Sequence, residues 1–262
     1  MLRIINLPHA VASLNDAGVA TLSIHEAKSL NILSTPVIED LTRALTQLAQ
    51  RPDVRVLILR GTGDKAFVAG ADINEMARLT RATGEHFIKG LRDLCESVRR
   101  MPVPVIARIP GWALGGGLEL AMACDMRIAA LGAQFGMPEV KVGIPSVIHA
   151  TLMPRLIGQG RAAWMLLSGE LICAKQALEW GLVNTVVPLD DLDAEILKIA
   201  LSLAQLGPAV LRQQKSLLRR WETMSLDAAI EDSVTEFGKA FETGEPQQFM
   251  TAFLADKQVG KT

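Results

Sequence analysis

Tyrosine is absent from this chain, and aromatic residues of every kind make up only 4 % of it. No core can be built on tyrosine hydroxyl anchors, so the 49 % hydrophobic content has to pack through aliphatic side chains. Cysteine is scarce. Cys95, Cys124 and Cys173 are odd in number, far apart and in no metal-type spacing, which excludes a disulfide framework or zinc site and reads as core thiols of a cytoplasmic protein. There is no excess of either charge: 27 basic residues face 28 acidic ones, which argues against a general nucleic-acid partner. No uninterrupted apolar run reaches the roughly 18 residues that a membrane helix needs. Arg3 is not followed by an apolar stretch of the signal-peptide kind, so no export signal is expected. Repeats and low-complexity linkers are missing too. At 262 residues the chain is one large domain, with or without a small appendage. A chain of this size can bury about three quarters of its unfolded surface, so neither disulfides nor metal are needed for folding.

What is present centres on Pro110-Gly111-Trp112-Ala113-Leu114-Gly115-Gly116-Gly117-Leu118-Glu119-Leu120-Ala121. The β-branched, proline-bounded run over 103–109 predicts a buried strand before it, and the apolar run over 118–124 predicts a buried helix after it. Three glycines at a strand-to-helix junction allow positive φ and close approach of a ligand to the backbone. The helix beyond offers unpaired N–H groups at the positive end of its dipole. Glu119 stands in the first turn of that otherwise apolar helix. Two readings follow: a tight turn whose carboxylate serves the helix dipole, or an oxyanion site with a catalytic carboxylate beside it. Twenty residues on, Glu139 lies in the apolar segment 133–140, next to Pro138. Two isolated carboxylates in apolar surroundings, one beside a glycine turn, favour acid–base chemistry.

Alternation over 19–24 predicts a strand, the stripe of Leu41, Leu45 and Leu48 a helix over 38–50, and 54–60 a second strand parallel to the first. Gly61-Thr62-Gly63-Asp64-Lys65-Ala66 then has the spacing of a dinucleotide fingerprint, with Ala in the last place. That fingerprint requires a helix to open at once. The chain instead continues apolar and glycine-broken, so dinucleotide binding is not expected. The charged run 83–100 predicts a helix with a solvated face, and 125–130 a strand. Ser146 and His149 have the look of a nucleophile pair, yet no G-x-S-x-G elbow occurs in the chain, and they read as pocket or packing residues. Short helices are predicted over 161–167 and 174–180, the second capped by Gly181, and a last strand over 182–187. From Leu189 onward the pattern is helical throughout, with Pro208 at a helix start and Gly244-Glu245-Pro246 as a break.

Three runs, Phe67-Val68-Ala69-Gly70-Ala71-Asp72-Ile73, Ala113-Leu114-Gly115-Gly116-Gly117-Leu118-Glu119-Leu120-Ala121 and Phe135-Gly136-Met137-Pro138-Glu139, resemble the signatures of the crotonase (enoyl-CoA hydratase/isomerase) superfamily. They fall in the family's order and close to its spacing, and the match spans essentially the whole chain. The resemblance implies an α/β fold of repeated ββα units in two nearly perpendicular sheets. It implies a core domain over 1–188 with a CoA-thioester site, and a helical C-terminal region over 189–262 for oligomerisation and as a lid. The implied assembly is a homotrimer or a dimer of trimers. The implied reaction is hydration of a trans-2-enoyl-CoA to a 3-hydroxyacyl-CoA, with coenzyme A as part of the substrate and no separate cofactor, metal, nucleic acid or membrane.

By the same resemblance, the backbone N–H groups of Ala71 and Gly116 form the oxyanion hole. Glu119 positions and activates water, while Glu139 protonates the α-carbon. Substrate-binding roles carry over to Lys28, Leu30, Ala69, Gly70, Asp72, Ile73, Met76, Trp112, Leu114, Gly115 and Pro138. The loop with Lys28 and Leu30 would lie against the CoA adenine, and Phe253 and Lys257 would reach CoA from the C-terminal helices. His25-Glu26-Ala27 departs from the family's commoner Asn-Arg-Pro, and 142–149 from its glycine-richer loop. Trp112, Met76 and the 142–152 segment would wall the acyl pocket. The presence of both glutamates is the hydratase pattern. Other crotonase chemistry on an acyl-CoA, a double-bond isomerase or a thioester hydrolase, remains an alternative. An RNA-binding or scaffold relative would want a lysine-rich helix, and the 38–50 helix carries only Arg43.

Overall fold

The computed structural model describes residues 1–259, with side chains through Ala255. Its first strands form an antiparallel meander: β1 (Leu2–Asn6), β2 (Ala10–Leu14) and β3 (Val19–Ile24). After α1 (Thr35–Ala49), β4 (Val56–Arg60) pairs parallel with β3. The parallel run continues through β6 (Val105–Ile109), β8 (Met126–Ala130) and β11 (Thr185–Val187), giving a seven-stranded sheet of order β1-β2-β3-β4-β6-β8-β11.

Each of the middle strands is followed by a short strand of a second sheet. β5 (Ala66–Val68), β7 (Trp112–Leu114) and β9 (Gln134–Gly136) run parallel there, and β10 (Ile172–Cys173) closes it antiparallel on β9. Helices follow: α2 (Ile73–Met76) and α3 (Arg81–Arg99) after β5, and α4 (Gly116–Ala123) after β7. Long strand, short strand, helix is the repeating unit. α5 (Met153–Ile157), α6 (Gln159–Ser168) and α7 (Ala174–Glu179) then lead to β11.

All five residues of β6 are buried, as a parallel strand covered on both faces requires. One face meets the main core. The other meets α8 (Leu192–Ala204), whose Leu192, Ile196 and Ala200 pack on Val19, Val56, Ile106 and Ile128. Position 188/189 therefore lies just before a helix that is part of the core. The next helix, α9 (Pro208–Trp221), docks through charge. Buried Lys215 Nζ donates to Asp125 Oδ2 at 2.6 Å and to the Val103 carbonyl at 2.9 Å, and Arg219 Nη2 reaches Asp125 Oδ1 at 2.7 Å. α10 (Leu226–Ala240) and α11 (Glu245–Val259) follow, with Gly244 left-handed at the break between them. Among the described residues, no single helix is long and apolar enough to cross a membrane.

Several elements differ from the sequence expectation. α1 begins three residues early, because Pro36 suits the first turn of a helix. The expected strand over 182–187 shortens to β11, since Leu182 is held in the turn after Gly181 by its N–H bond to Ala177 O at 2.8 Å. The helix expected to be a solvated face is amphipathic: Phe87, Leu91, Leu94, Cys95 and Val98 of α3 form a buried stripe. The glycine loop after β4 opens no helix and runs straight into β5. Buried Asn31 pins it, accepting the Thr62 N–H at 3.1 Å and donating to Thr62 O and Ala66 O at 3.2 and 2.9 Å. The geometry of a dinucleotide fingerprint is thus not formed.

Candidate active site

The junction between β7 and α4 is shaped by its glycines. Gly115 caps the helix at φ +52°, and a β-carbon there would lie 2.4 Å from Glu139 Oε1. Both the backbone conformation and the neighbouring carboxyl therefore demand glycine. At Gly117 a β-carbon would lie 2.2 Å from the Val68 carbonyl oxygen, so α4 seats directly on β5. The tip of this junction is held by the Gly115 N–H bond to Gly136 O at 2.9 Å, which ties it to β9.

Every residue of α4 is buried, and Glu119 is only 4 % exposed. Its Oε1 accepts the Ala150 N–H at 2.9 Å from the short 3-10 helix Ile148–Leu152. Burial is the main force on this carboxyl and pushes its pKa up to about 8; the Glu139 charge adds to the rise, and the backbone N–H groups of Ala150 and His149 oppose it. Glu139 stands in the 3-10 helix Pro138–Val142, which ends on left-handed Gly143. Burial raises its pKa as well, while its own backbone N–H and the Ser146 hydroxyl, which donates to Oε2 at 2.9 Å, hold it down.

Both carboxyls line one cavity of about 170 Å³, together with Ala71 and Gly116. Among the described residues, neither the Ala71 nor the Gly116 N–H donates to a protein acceptor. Of the residues expected at the site, Ala69, Gly70, Ile73, Met76, Leu114, Gly115 and Pro138 also border this cavity. Others stand outside its wall. Lys28 Nζ pairs with Asp72 Oδ2 at 2.5 Å, and the Leu30 carbonyl accepts the Ala69 N–H at 3.0 Å, so this loop is tied to the strand leading into the cavity. Trp112 lies on β7 between Ala66 and Gln134, 37 % exposed and away from the cavity wall. Phe253 is exposed on α11, and the side chain of Lys257 lies outside the described residues.

Sequence reasoning missed the contribution of α3. Phe87, Ile88 and Leu91 wall the cavity, and the i, i+4 spacing of Phe87 and Leu91 was the available signal. A β-carbon at Gly116 would meet Leu91 Cδ2 at 2.8 Å, which shows how closely α3 backs the helix terminus.

The arrangement suits one kind of chemistry. Two unpartnered amides, that of Gly116 at the N-terminus of α4 and that of Ala71 in the segment after β5, can polarise a carbonyl oxygen, and two desolvated carboxyls beside them can pass protons at the adjacent carbons. The model of the enoyl-CoA hydratase/isomerase family matches residues 15–260. The chain is 38 % identical to a crotonyl-CoA hydratase of Syntrophomonas wolfei over 92 % of its length and 93 % of that protein's. It is 34 % identical to a short-chain-enoyl-CoA hydratase of Clostridium acetobutylicum over 92 % and 93 % of the two chains. The crystal structure of an enoyl-CoA hydratase from Bacillus anthracis superposes with a TM-score of 0.91 at 34 % identity, over 95 % of this chain and 96 % of that one. The chain belongs to the enoyl-CoA hydratase/isomerase family, the crotonase superfamily.

Proposed function

We propose that the protein hydrates a trans-2-enoyl-CoA to the 3-hydroxyacyl-CoA. The observation that carries this reading is the single cavity shared by Glu119, Glu139 and the free N–H groups of Ala71 and Gly116. Adding water across a double bond conjugated to a thioester places hydroxide on the β-carbon and a proton on the α-carbon, and charge builds on the thioester oxygen. The two amides stabilise that enolate, aided by the dipole of α4. One carboxyl takes the proton from water, and the other supplies the α-carbon. In this reading Glu119 orients and activates the water and Glu139 protonates the α-carbon. Lys28, Leu30 and Asp72 serve the nucleotide end of the substrate, and Phe253 of the C-terminal helix and the basic residue Lys257 are assigned to CoA as well. The protein works as a trimer or dimer of trimers in the cytoplasm.

One observation favours the reverse division of labour. With Glu119 pushed up to about 8 by burial, its carboxyl favours the protonated form at neutral pH, which suits it to give a proton and leaves the base role to the other carboxyl. Exchange of the α-protons of butyryl-CoA with deuterated solvent separates the two assignments. If Glu139 serves the α-carbon, Glu119→Gln retains exchange and Glu139→Gln loses it; the opposite pattern reverses the roles. For hydration of trans-2-butenoyl-CoA, each substitution lowers turnover by about 10²–10⁴-fold, with affinity for butyryl-CoA little changed. Near-wild-type hydration by either variant would remove the two-carboxylate mechanism. A double-bond shift spared by Glu119→Gln and abolished by Glu139→Gln would make the protein an isomerase.

A further inference from the structure

Glu119 sits on a rigid, buried helix, but its hydrogen-bond partner does not. The Ala150 N–H belongs to the short turn Ile148–Leu152, reached through a loop over 143–147. The first residue of that turn is Ile148 at φ +40°, a β-branched side chain in the left-handed region, where it is strained. No side chain caps the turn. Within the turn the Ala150 N–H is shared with Val147 O at 2.9 Å, and a second hold comes from outside the turn. The next residue, His149, is buried and reaches across to α3, where its Nε2 lies 2.9 Å from Glu96 Oε1.

The chemistry of this contact is set by its surroundings. Glu96 also pairs with two cations at the end of α3, Arg99 Nε and Arg100 Nε, each at 3.2 Å, and a carboxylate in such pairs accepts. His149 Nε2 is therefore the donor, and Nδ1, buried with no protein partner among the described residues, carries the lone pair. Burial is the main influence on the His149 pKa and lowers it, in keeping with a neutral ring. Arg92 and Arg99 favour the same form, while Glu96 opposes it. The pair stands between two spaces: Glu119 on the inside, and on the outside a charged cleft of about 960 Å³ that Glu96, His149 and Arg99 help to line.

We propose that Glu96 and His149 form a positioning pair, anchoring the 148–152 turn to α3 so that the Ala150 N–H stays on the Glu119 carboxyl. Neither side chain touches the reacting atoms. α3 also supplies Phe87 and Leu91 to the cavity wall, so one helix fixes both the wall and, through this pair, the orientation of Glu119. Losing the Ala150 bond takes away a contact that favours the charged carboxyl, while Glu139 in the cavity and Cys95 on α3 remain in place around it.

The kinetic arm of the test rests on the proposed hydration; the titration arm does not. His149→Leu removes the donor, and His149→Gln restores one near the Nε2 position. With trans-2-butenoyl-CoA, His149→Leu lowers kcat by about tenfold to a hundredfold with KM nearly unchanged, and His149→Gln recovers most of the loss. Combining Glu96→Ala with His149→Leu is no worse than the poorer single variant, because both break one contact. Independently of turnover, NMR of isotope-labelled glutamate carboxyls in the free protein, with Glu119→Gln as the assignment control, shows the Glu119 titration moved to higher pH in His149→Leu and returned in His149→Gln. Thermal melting confirms that each variant is folded. An unmoved Glu119 titration in folded His149→Leu overturns the proposal, as does a Gln variant no better than Leu. If wild type fails to hydrate while the titration shifts as described, the hydration reading fails and the positioning pair stands.

Discussion

At the scale of single residues, the burial of Glu119 ties activity to stability. Its ordinary carboxyl pKa of 4.5 applies to the unfolded chain, and folding raises it to about 8. Between those values the folded protein holds a proton that the unfolded chain has released, so stability falls as pH rises through that window. Below 4.5 both states are protonated and the group contributes nothing. Glu119→Gln keeps an acceptor for the Ala150 N–H but cannot ionise. Its melting temperature relative to wild type therefore rises from pH 4.5 to pH 8.5, and a constant difference across that range would show that Glu119 is not desolvated as described. Glu139 is raised by burial in the same direction and is present in both proteins, so its own desolvation cancels and only its coupling to Glu119 enters the comparison.

At the scale of elements, the seat of α4 against its neighbours distinguishes adjacent glycines. A β-carbon at Gly117 runs into a backbone oxygen, Val68 O, and neither β5 nor α4 can give without moving. Gly117→Ala is expected to destabilise the protein by about 1–3 kcal/mol, read from the urea midpoint. At Gly116 the obstacle is the far end of Leu91, a flexible side chain, so Gly116→Ala loses less. Equal losses at the two positions would mean that α4 is not seated on β5 by Gly117. The attachment of α9 is a second test. Asp125→Ala leaves Lys215 and Arg219 facing the core without their shared carboxylate. Removing one partner of a buried ion pair costs about 3–5 kcal/mol, and a variant with wild-type denaturant stability would place the docking of α9 elsewhere.

At the scale of the whole molecule, α10 presents Leu226, Ile230, Val234 and Phe237 on one stripe, each 59–76 % exposed. Spacings of three and four residues put all four on one helix face. In the proposed trimer or dimer of trimers that face is covered. Sedimentation is then expected at three or six times the 28.3 kDa of one chain. Ile230→Asp together with Phe237→Asp shifts the population toward single chains. A wild-type protein that sediments as one chain would remove the assembly proposal while leaving the site within each chain as described.

The amino-acid sequence by itself determined the strand–glycine–helix junction at 109–123, the buried parallel strands and the presence of two carboxylates in apolar settings. These are local matters: runs of β-branched residues, a period of 3.6 and glycines where φ turns positive can be read without knowing what lies opposite. The amphipathic stripe of α3 was local too, but its charged face drew the reading toward solvent. Only the tertiary structure decided the rest. β5, β7 and β9 are three residues each, too short to show a period, and exist because they pair with one another across 66–136. Trp112 stands beside the glycine run in sequence and away from the cavity in space. The raised pKa of Glu119 comes from the apolar packing around it, opposed by a partner N–H 31 residues on, and Ser146 meets Glu139 by the return of a loop. Desolvation depends on what the remainder of the chain packs against a side chain, and no window of sequence contains that neighbourhood.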